Sequence, residues 1–596
     1  MVEDTLRQMI SRVNQGRLSR RGFIRRVAAW GLTAPMATQL LAITGAAPAG
    51  AQGFPAYNGP RRGGAGPLKI LYWQAATLLN PHFAVGTTNQ DASRVFYEPL
   101  ASWSPDATLH PILAAEIPSI ENGGLAQDGR SVTWKLKRGV RWHDGAPFSA
   151  DDVVFNWEYA RNPAVASTTS GSYRDVNVVK LDDFTVRVEF PQPTPFWADA
   201  FVGGLGGMIP RHIFQGFNGA NARDAPGNLR PIGTGPYRFV SFTPGDTLRG
   251  ELNPLYHLEN RPHFDTLEIK GGGDAVSAAR AVLQTGDFDY AWNLLVEDDV
   301  LRRLEAGGRG RVEVTRGGSV EFIQLNATDP NQEIDGERSS LRTAHPAFSD
   351  PAVRQAVALL IDRGALVQFI YGRGGYATAN ILNNPRFASP HMRAEFNLQR
   401  ANELLEAAGW ARGRDGIRAK GTTRLRLVFQ TSVNAPRQRS QAIIKQAAQR
   451  AGIDLELKAV TPSVFFSADV ANPDTYSKFY ADMQMYTNGP AGDPQRYMTQ
   501  FVSWEAASRA NSWQGRNIIR WRNAEYDAAF RAAETELDPV RRVVQFIRMN
   551  DLIVGSHHVI PLVGRNGVGG VLNNLRTVRS GWDSTLCMLS DWWREG

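Results

Sequence analysis

Cysteine is nearly absent from this sequence: of its 596 residues, Cys587 is the only one. No intramolecular disulfide can form, so stability has to come from packed cores. Long apolar runs are also missing. Beyond the first fifty residues no window holds 18 consecutive apolar residues, which excludes a spanning helix in the body of the chain. Local signatures of chemistry are scarce as well. There is no G-x-S-x-G elbow and no H-E-x-x-H helix. His257 and His263 stand six apart without a Cys or carboxylate pattern of a zinc site, and the adjacent His557 and His558 would point to opposite faces of a strand. The chain is therefore expected to hold no metal and no cofactor and not to be an enzyme.

What is present is a large body of ordinary globular composition, with 42% hydrophobic and 21% charged residues and 15 tryptophans. Such a length exceeds one hydrophobic core and predicts two or three domains. The formal charge is +8, but residues 1–51 carry seven arginines against Glu3 and Asp4, so only +3 remains on the rest. A small excess spread over so large a body is a solvated surface, and no nucleic-acid partner is expected.

The N-terminus has the order of an export signal. Ser19-Arg20-Arg21-Gly22-Phe23-Ile24 precedes a mildly apolar stretch, Val27 to Ala49, interrupted by Pro35 and Gln39 and followed by the small residues Ala49-Gly50-Ala51. The paired arginines resemble a twin-arginine signal, which implies export in the folded state and a periplasmic protein. Cleavage is expected after Ala51, and residues 52–67, rich in Gly, Pro and Arg, read as a flexible arm.

Strand patterns dominate the first half. Val132, Trp134 and Leu136 alternate with polar residues, as do Phe184, Val186, Val188 and Phe190. Between them Ser149-Ala150-Asp151-Asp152 caps a helix with Val153, Val154, Trp157 and Ala160 on one face. The second half alternates helix and strand. Asp350-Pro351 opens a helix, Ala401 to Ala408 forms a second stopped by Gly409, and Ile443 to Ala451 a third stopped by Gly452. Strands lie at Leu425 to Phe429 and Ile453 to Ala459. Short helix-to-strand spacing predicts an α/β sheet with helices on both faces.

Five stretches resemble the extracytoplasmic solute-binding protein family 5, which includes oligopeptide-, dipeptide-, nickel- and opine-binding proteins. They are Leu136 to Phe148 running into Ala150-Asp151-Asp152-Val153; Gly233-Thr234-Gly235-Pro236-Tyr237 with Asn253-Pro254; Phe348 to Arg363; Ala401 to Trp410; and Ile560-Pro561-Leu562. The resemblance implies a two-lobed periplasmic-binding-protein fold of class II, the Venus flytrap, with an extra domain inserted in the N-terminal lobe. It implies an N-terminal lobe from 68–105, 229–317 and 556–596, the inserted domain at 106–228, and a C-terminal lobe at 318–555. It also implies a monomer that encloses a small molecule or short peptide and hands it to an ABC permease and ATPase complex in the inner membrane.

His143-Asp144 and the glycines of 233–237 are read as turn structure, since neither has the ligands or the following Lys that a metal or phosphate site needs. The ligand-facing residues expected from the comparison are Trp73, Gln74 and Asn80 after the first strand, Trp292, Asn293, Gln324 and Asn326, and Tyr486, Asn488 and Asp493 in the later half. Aromatic faces with amides suit a polar solute. Peptide-binding members hold the ligand's ammonium with an Asp four residues before a Pro. Here that position is Pro490, ahead of Pro494, so the amine anchor is missing unless Asp493 or Asp482 substitutes. A secreted hydrolase and a chemosensory binding module are the alternative readings.

Overall fold

The computed structural model describes residues 53–595 apart from 85, 467–470 and 491, with a few positions between 9 and 26. The expected signal peptide and its cleavage site lie almost wholly outside the described residues. The described chain forms two compact units, Gln52–Gly317 with Asn566–Gly596 and Gly318–Arg565.

The N-terminal unit is built on a seven-stranded sheet in the order 310–315, 567–572, 290–291, 67–72, 266–271, 247–252, 237–243. Pro67–Tyr72 lies near its centre and runs parallel to both neighbours. Its apolar residues divide by parity, as strand geometry requires. Leu68, Ile70 and Tyr72 enter one core, whereas Leu71 enters the other with Ala278, Val282 and Leu283 of the Ala275–Leu283 helix. A separate three-stranded sheet pairs Val132 with Val188 and Trp134 with Val186, the alternation expected from sequence. The Ala150–Arg161 helix opens on a capping box in which Ser149 and Asp152 each accept from the other's backbone. This helix has two buried sides. Val153 and Ala160, with Val154 and Trp157, join the core of the small sheet, whereas Phe155 and Tyr159 join the main core. Phe155 and Tyr159 were not part of the expected face. The segment 106–228 thus carries its own sheet within the N-terminal unit.

The two turn motifs of this unit lock together. His143 N donates to Gly233 O, Gly233 N donates to His143 Nδ1 at 3.1 Å, and His143 Nε2 donates to Gly235 O at 3.0 Å. The glycine at 233 is required by contact: a Cβ there would sit 1.9 Å from the carbonyl oxygen of Phe96.

The C-terminal unit has a six-stranded sheet in the order 375–377, 559–565, 320–325, 483–488, 426–432, 454–460. Its faces bury separate cores. Ile323, Leu325, Leu427, Met483 and Met485 meet the helices Pro351–Leu359 and Leu398–Ala407, whereas Phe322 and Tyr486 meet Ala524–Thr535 and Pro539–Gly555. Asp350 caps the first helix through Ala352 N, and its second oxygen accepts from the buried Trp410 indole at 3.0 Å. The unit ends at Arg565, ten residues past the expected boundary at 555, because Val559–Arg565 pairs with Val320–Gln324.

Candidate functional site

In an open parallel sheet the carboxyl ends of the strands form the natural ligand edge, because the loops leave backbone and side chains unshared there. In the N-terminal unit the Pro67–Tyr72 strand delivers Trp73 and Gln74 to that edge, and its neighbour Tyr290–Ala291 delivers Trp292 and Asn293. Tyr72 and Trp292 stack with centroids 4.9 Å apart, and Trp73 lies 6.1 Å from Trp292. The Trp73 indole donates to Asn293 O at 3.0 Å, with Asn293 held in left-handed backbone at φ 48°. Gln74 is exposed beside them. Three of the expected residues, Trp73, Trp292 and Asn293, form one cluster, and Gln74 follows Trp73 in the chain at the same strand end.

Asn80 is different. It is fully buried, its Nδ2 donating to Asn228 Oδ1 at 2.8 Å and its Oδ1 accepting from His82 N at 2.9 Å. Both ends of the amide are occupied inside the core, so it holds the loop and offers nothing to a ligand.

In the C-terminal unit the parallel strands Arg426–Ser432, Asp454–Val460 and Met483–Asn488 end on one edge. Asn488 stands there, exposed. Gln324 does not. It is the outer member of a buried ladder in which Gln430 donates to Gln484 at 3.0 Å and Gln484 to Gln324 at 3.1 Å. Asn326, also fully buried, donates to Ser339 Oγ and to the carbonyls of Phe479 and Ala481, and accepts from Thr328. Gln324 and Asn326 are therefore structural residues, a correction that follows from their satisfied hydrogen bonds. Tyr486 is 5% exposed and packs edge-on against Phe322 at 4.8 Å.

Neither carboxylate that could replace the missing amine anchor is free. Asp493 makes a two-oxygen pair with Arg542, whose Nη2 donates to Oδ1 at 2.9 Å. Asp482 accepts from His345 Nε2 at 2.9 Å and from Val428 N at 2.6 Å.

A charged group at this edge escaped the sequence reading. Glu321, fully buried, accepts from Arg437 Nε at 2.8 Å, Thr487 Oγ1 at 2.6 Å and Arg565 Nη1 at 3.2 Å, and Arg437 also donates to Ser432 Oγ at 2.7 Å. Burial raises the Glu321 carboxyl, but the two guanidiniums outweigh it and hold it below its ordinary value. One carboxylate against two arginines leaves a positive excess suited to a carbonyl or carboxylate oxygen. The available signal was a charged residue inside the apolar strand Val320–Leu325. Among the described residues no group of three or more His, Cys, Asp or Glu is arranged to hold a metal, and no helix is long and apolar enough to cross a membrane.

Comparison with known proteins gives these edges a context. The oligopeptide-binding protein AppA of Bacillus subtilis is 23% identical over 527 residues, covering 87% of this chain and 89% of its own. The glutathione-binding protein GsiB of Pectobacterium atrosepticum is 26% identical over 341 residues, 56% of this chain and 60% of its own. The solved structure of NikZ from Campylobacter jejuni with Ni(L-His) superposes with a TM-score of 0.73 at 21% identity, covering 88% of this chain and 99% of that one. Residues 108–509 match the family described as bacterial extracellular solute-binding proteins, family 5 Middle. On that match, and on its two α/β units, the chain belongs to the family 5 bacterial extracellular solute-binding proteins.

Proposed function

We propose that this chain is the exported substrate-binding component of an ABC importer, which captures a peptide-like or other polar small solute and delivers it to a membrane permease and its ATPase. The observation that carries this reading is the family match across residues 108–509. The protein works as a monomer and changes no covalent bond in its cargo. The relatives' names span oligopeptide, glutathione and a nickel–histidine complex, so the family allows varied polar cargo.

The cargo of this chain is a solute that needs no ammonium anchor. Pro490 stands where peptide binders place an Asp, Asp493 is committed to Arg542, and Asp482 to His345. An unpaired ammonium would be costly to bury there. Trp73, Gln74, Trp292, Asn293 and Asn488 are its proposed contacts. Native mass spectrometry of protein purified from its own periplasm should show a co-purified small molecule. A bound peptide with an unmodified N-terminus would overturn the cargo assignment, and turnover of that molecule by the protein would overturn the transport reading.

Export by the twin-arginine route rests on Arg20 and Arg21. Replacing both, Arg20→Lys and Arg21→Lys, should retain the protein in the cytoplasm as an uncleaved precursor. Normal periplasmic recovery of the double variant, measured by fractionation, would refute this route.

A further inference from the structure

The C-terminal unit contains a cavity of about 290 Å³ that none of the preceding residues uses. The ends of the helices Pro351–Leu359 and Pro539–Gly555, the first residues of the Val559–Arg565 strand and the 392–395 segment form its walls. Strand register separates it from the solute edge. Gly564 and Asn488 both pair with Val320, whereas Val559 pairs with Gln324, toward the other end of the same strand. The cavity therefore opens at the opposite end of the sheet.

Much of its wall is apolar, including Ala358, Leu359, Val559 and Ile560. Into this wall is set Arg363, only 8% exposed. Its Nε donates to Pro561 O at 2.7 Å and its Nη1 reaches Ile361 O at 3.4 Å. Among the described residues no carboxylate pairs with it. Two peptide carbonyls satisfy part of the fork but bring no net negative charge, and a guanidinium without a counter-ion is unfavourable in such surroundings. Burial, with no acid to oppose it, pushes its pKa down to about 10. The neighbouring His557 is lowered first by its own burial and then by Arg354 and Arg363, so the local field is positive. The one acidic residue among the described wall residues, Glu395, is already paired with Arg400 at 2.7 Å. In the same wall Arg393 donates, among the described residues, to the carbonyls of Pro390 and Met392.

We propose that this cavity is a second ligand site, separate from the solute edge, that takes a small organic monoanion with its carboxylate on Arg363 and its apolar body against Ala358, Leu359 and Ile560. Its volume lies near the lower end of small-molecule pockets, about 300 Å³. The planar guanidinium fork matches a carboxylate in both geometry and charge.

Titration calorimetry of the purified protein with hexanoate, and separately with hexanamide, tests the site. Hexanoate should bind and the uncharged amide should bind roughly tenfold more weakly or not at all, the discrimination expected of a charge-assisted pair. Arg363→Gln should weaken hexanoate by a similar factor, and Arg363→Lys by less. Because Arg363 also holds the Pro561 carbonyl, Ala358→Phe provides an independent block: it fills the apolar end and should abolish binding while leaving the circular dichroism spectrum unchanged. Equal binding of acid and amide, no binding of hexanoate by the unaltered protein, or full hexanoate affinity in Ala358→Phe would each overturn the proposal.

Discussion

His143 shows how a residue suggestive of chemistry becomes structural. Beside Asp144 and Trp142 it resembles a catalytic or ligating group, yet both ring nitrogens are spent on the backbone of 233–235. The Nδ1 nitrogen must accept, so the ring is neutral when folded, and burial lowers its pKa to about 4. The unfolded chain has an ordinary histidine near 6.5. The unfolded state therefore gains a proton that the folded state refuses, and stability falls as pH drops from about 6.5 toward 4. His82, lowered to about 4, and His558, lowered to about 3, act in the same direction. The His143 share should reach about 2 kcal/mol by pH 5. Urea unfolding at pH 7 and pH 5 should show a smaller loss in His143→Gln than in the parent, and an identical loss would contradict the burial argument. The expected site residues divide on the same physics. Trp73, Gln74, Trp292 and Asn293 gather at a strand end that chain order already suggested. Asn80, Gln324 and Asn326 were equally polar and equally well spaced, but a single sequence does not reveal which hydrogen bonds each amide has already made.

At the level of elements, helix starts were the most legible feature because a cap is a local interaction. Ser149 with Asp152 and Asp350 with Pro351 were both readable and both are formed. What could not be read was how distant segments share one cap. Asp350 accepts from Ala352 N, from the indole of Trp410 sixty residues away and from Lys420 Nζ at 3.1 Å. Trp410 itself is 2% exposed, packed beyond the glycine that stops its helix. Asp350→Ala removes the cap and strands a buried indole N–H, and should cost about 2–3 kcal/mol, beyond the roughly 1 kcal/mol of an ordinary cap. Asp350→Asn keeps the cap oxygen and should cost less. Chemical denaturation of both variants measures the difference, and equal losses would show that the cap oxygen contributes nothing beyond the Trp410 contact.

At the level of the whole molecule, the order of motifs along the chain was visible, but the sheet to which each strand belongs was not. The stretch 556–596 is expected from sequence to lie wholly in the N-terminal lobe. Its first two strands divide, one pairing with Val320–Gln324 in the C-terminal unit and the other with Gly310–Thr315 in the N-terminal unit, and the chain passes between units at Arg565–Asn566. Periodicity describes which face of a strand is buried and says nothing about its partner. A chain of this kind responds globally to its cargo, because ligand bound only to the folded state adds to stability by mass action. The true solute, at about a thousand times its dissociation constant, should raise the unfolding free energy by about 4 kcal/mol. A library compound that leaves the melting temperature unchanged at saturation is not that solute.

The lone thiol bears on how such experiments can be read out. Cys587 is 4% exposed within an apolar cluster, and burial, reinforced by Asp583, raises its pKa well above the ordinary thiol value. Since the thiolate is the reactive form, maleimide should leave the folded protein untouched. A cysteine introduced on the surface, for instance at Gln74→Cys or Asn488→Cys, would then be the sole point of fluorophore attachment. The native sequence thus serves, without prior removal of any residue, as a clean background for optical reporters of solute capture.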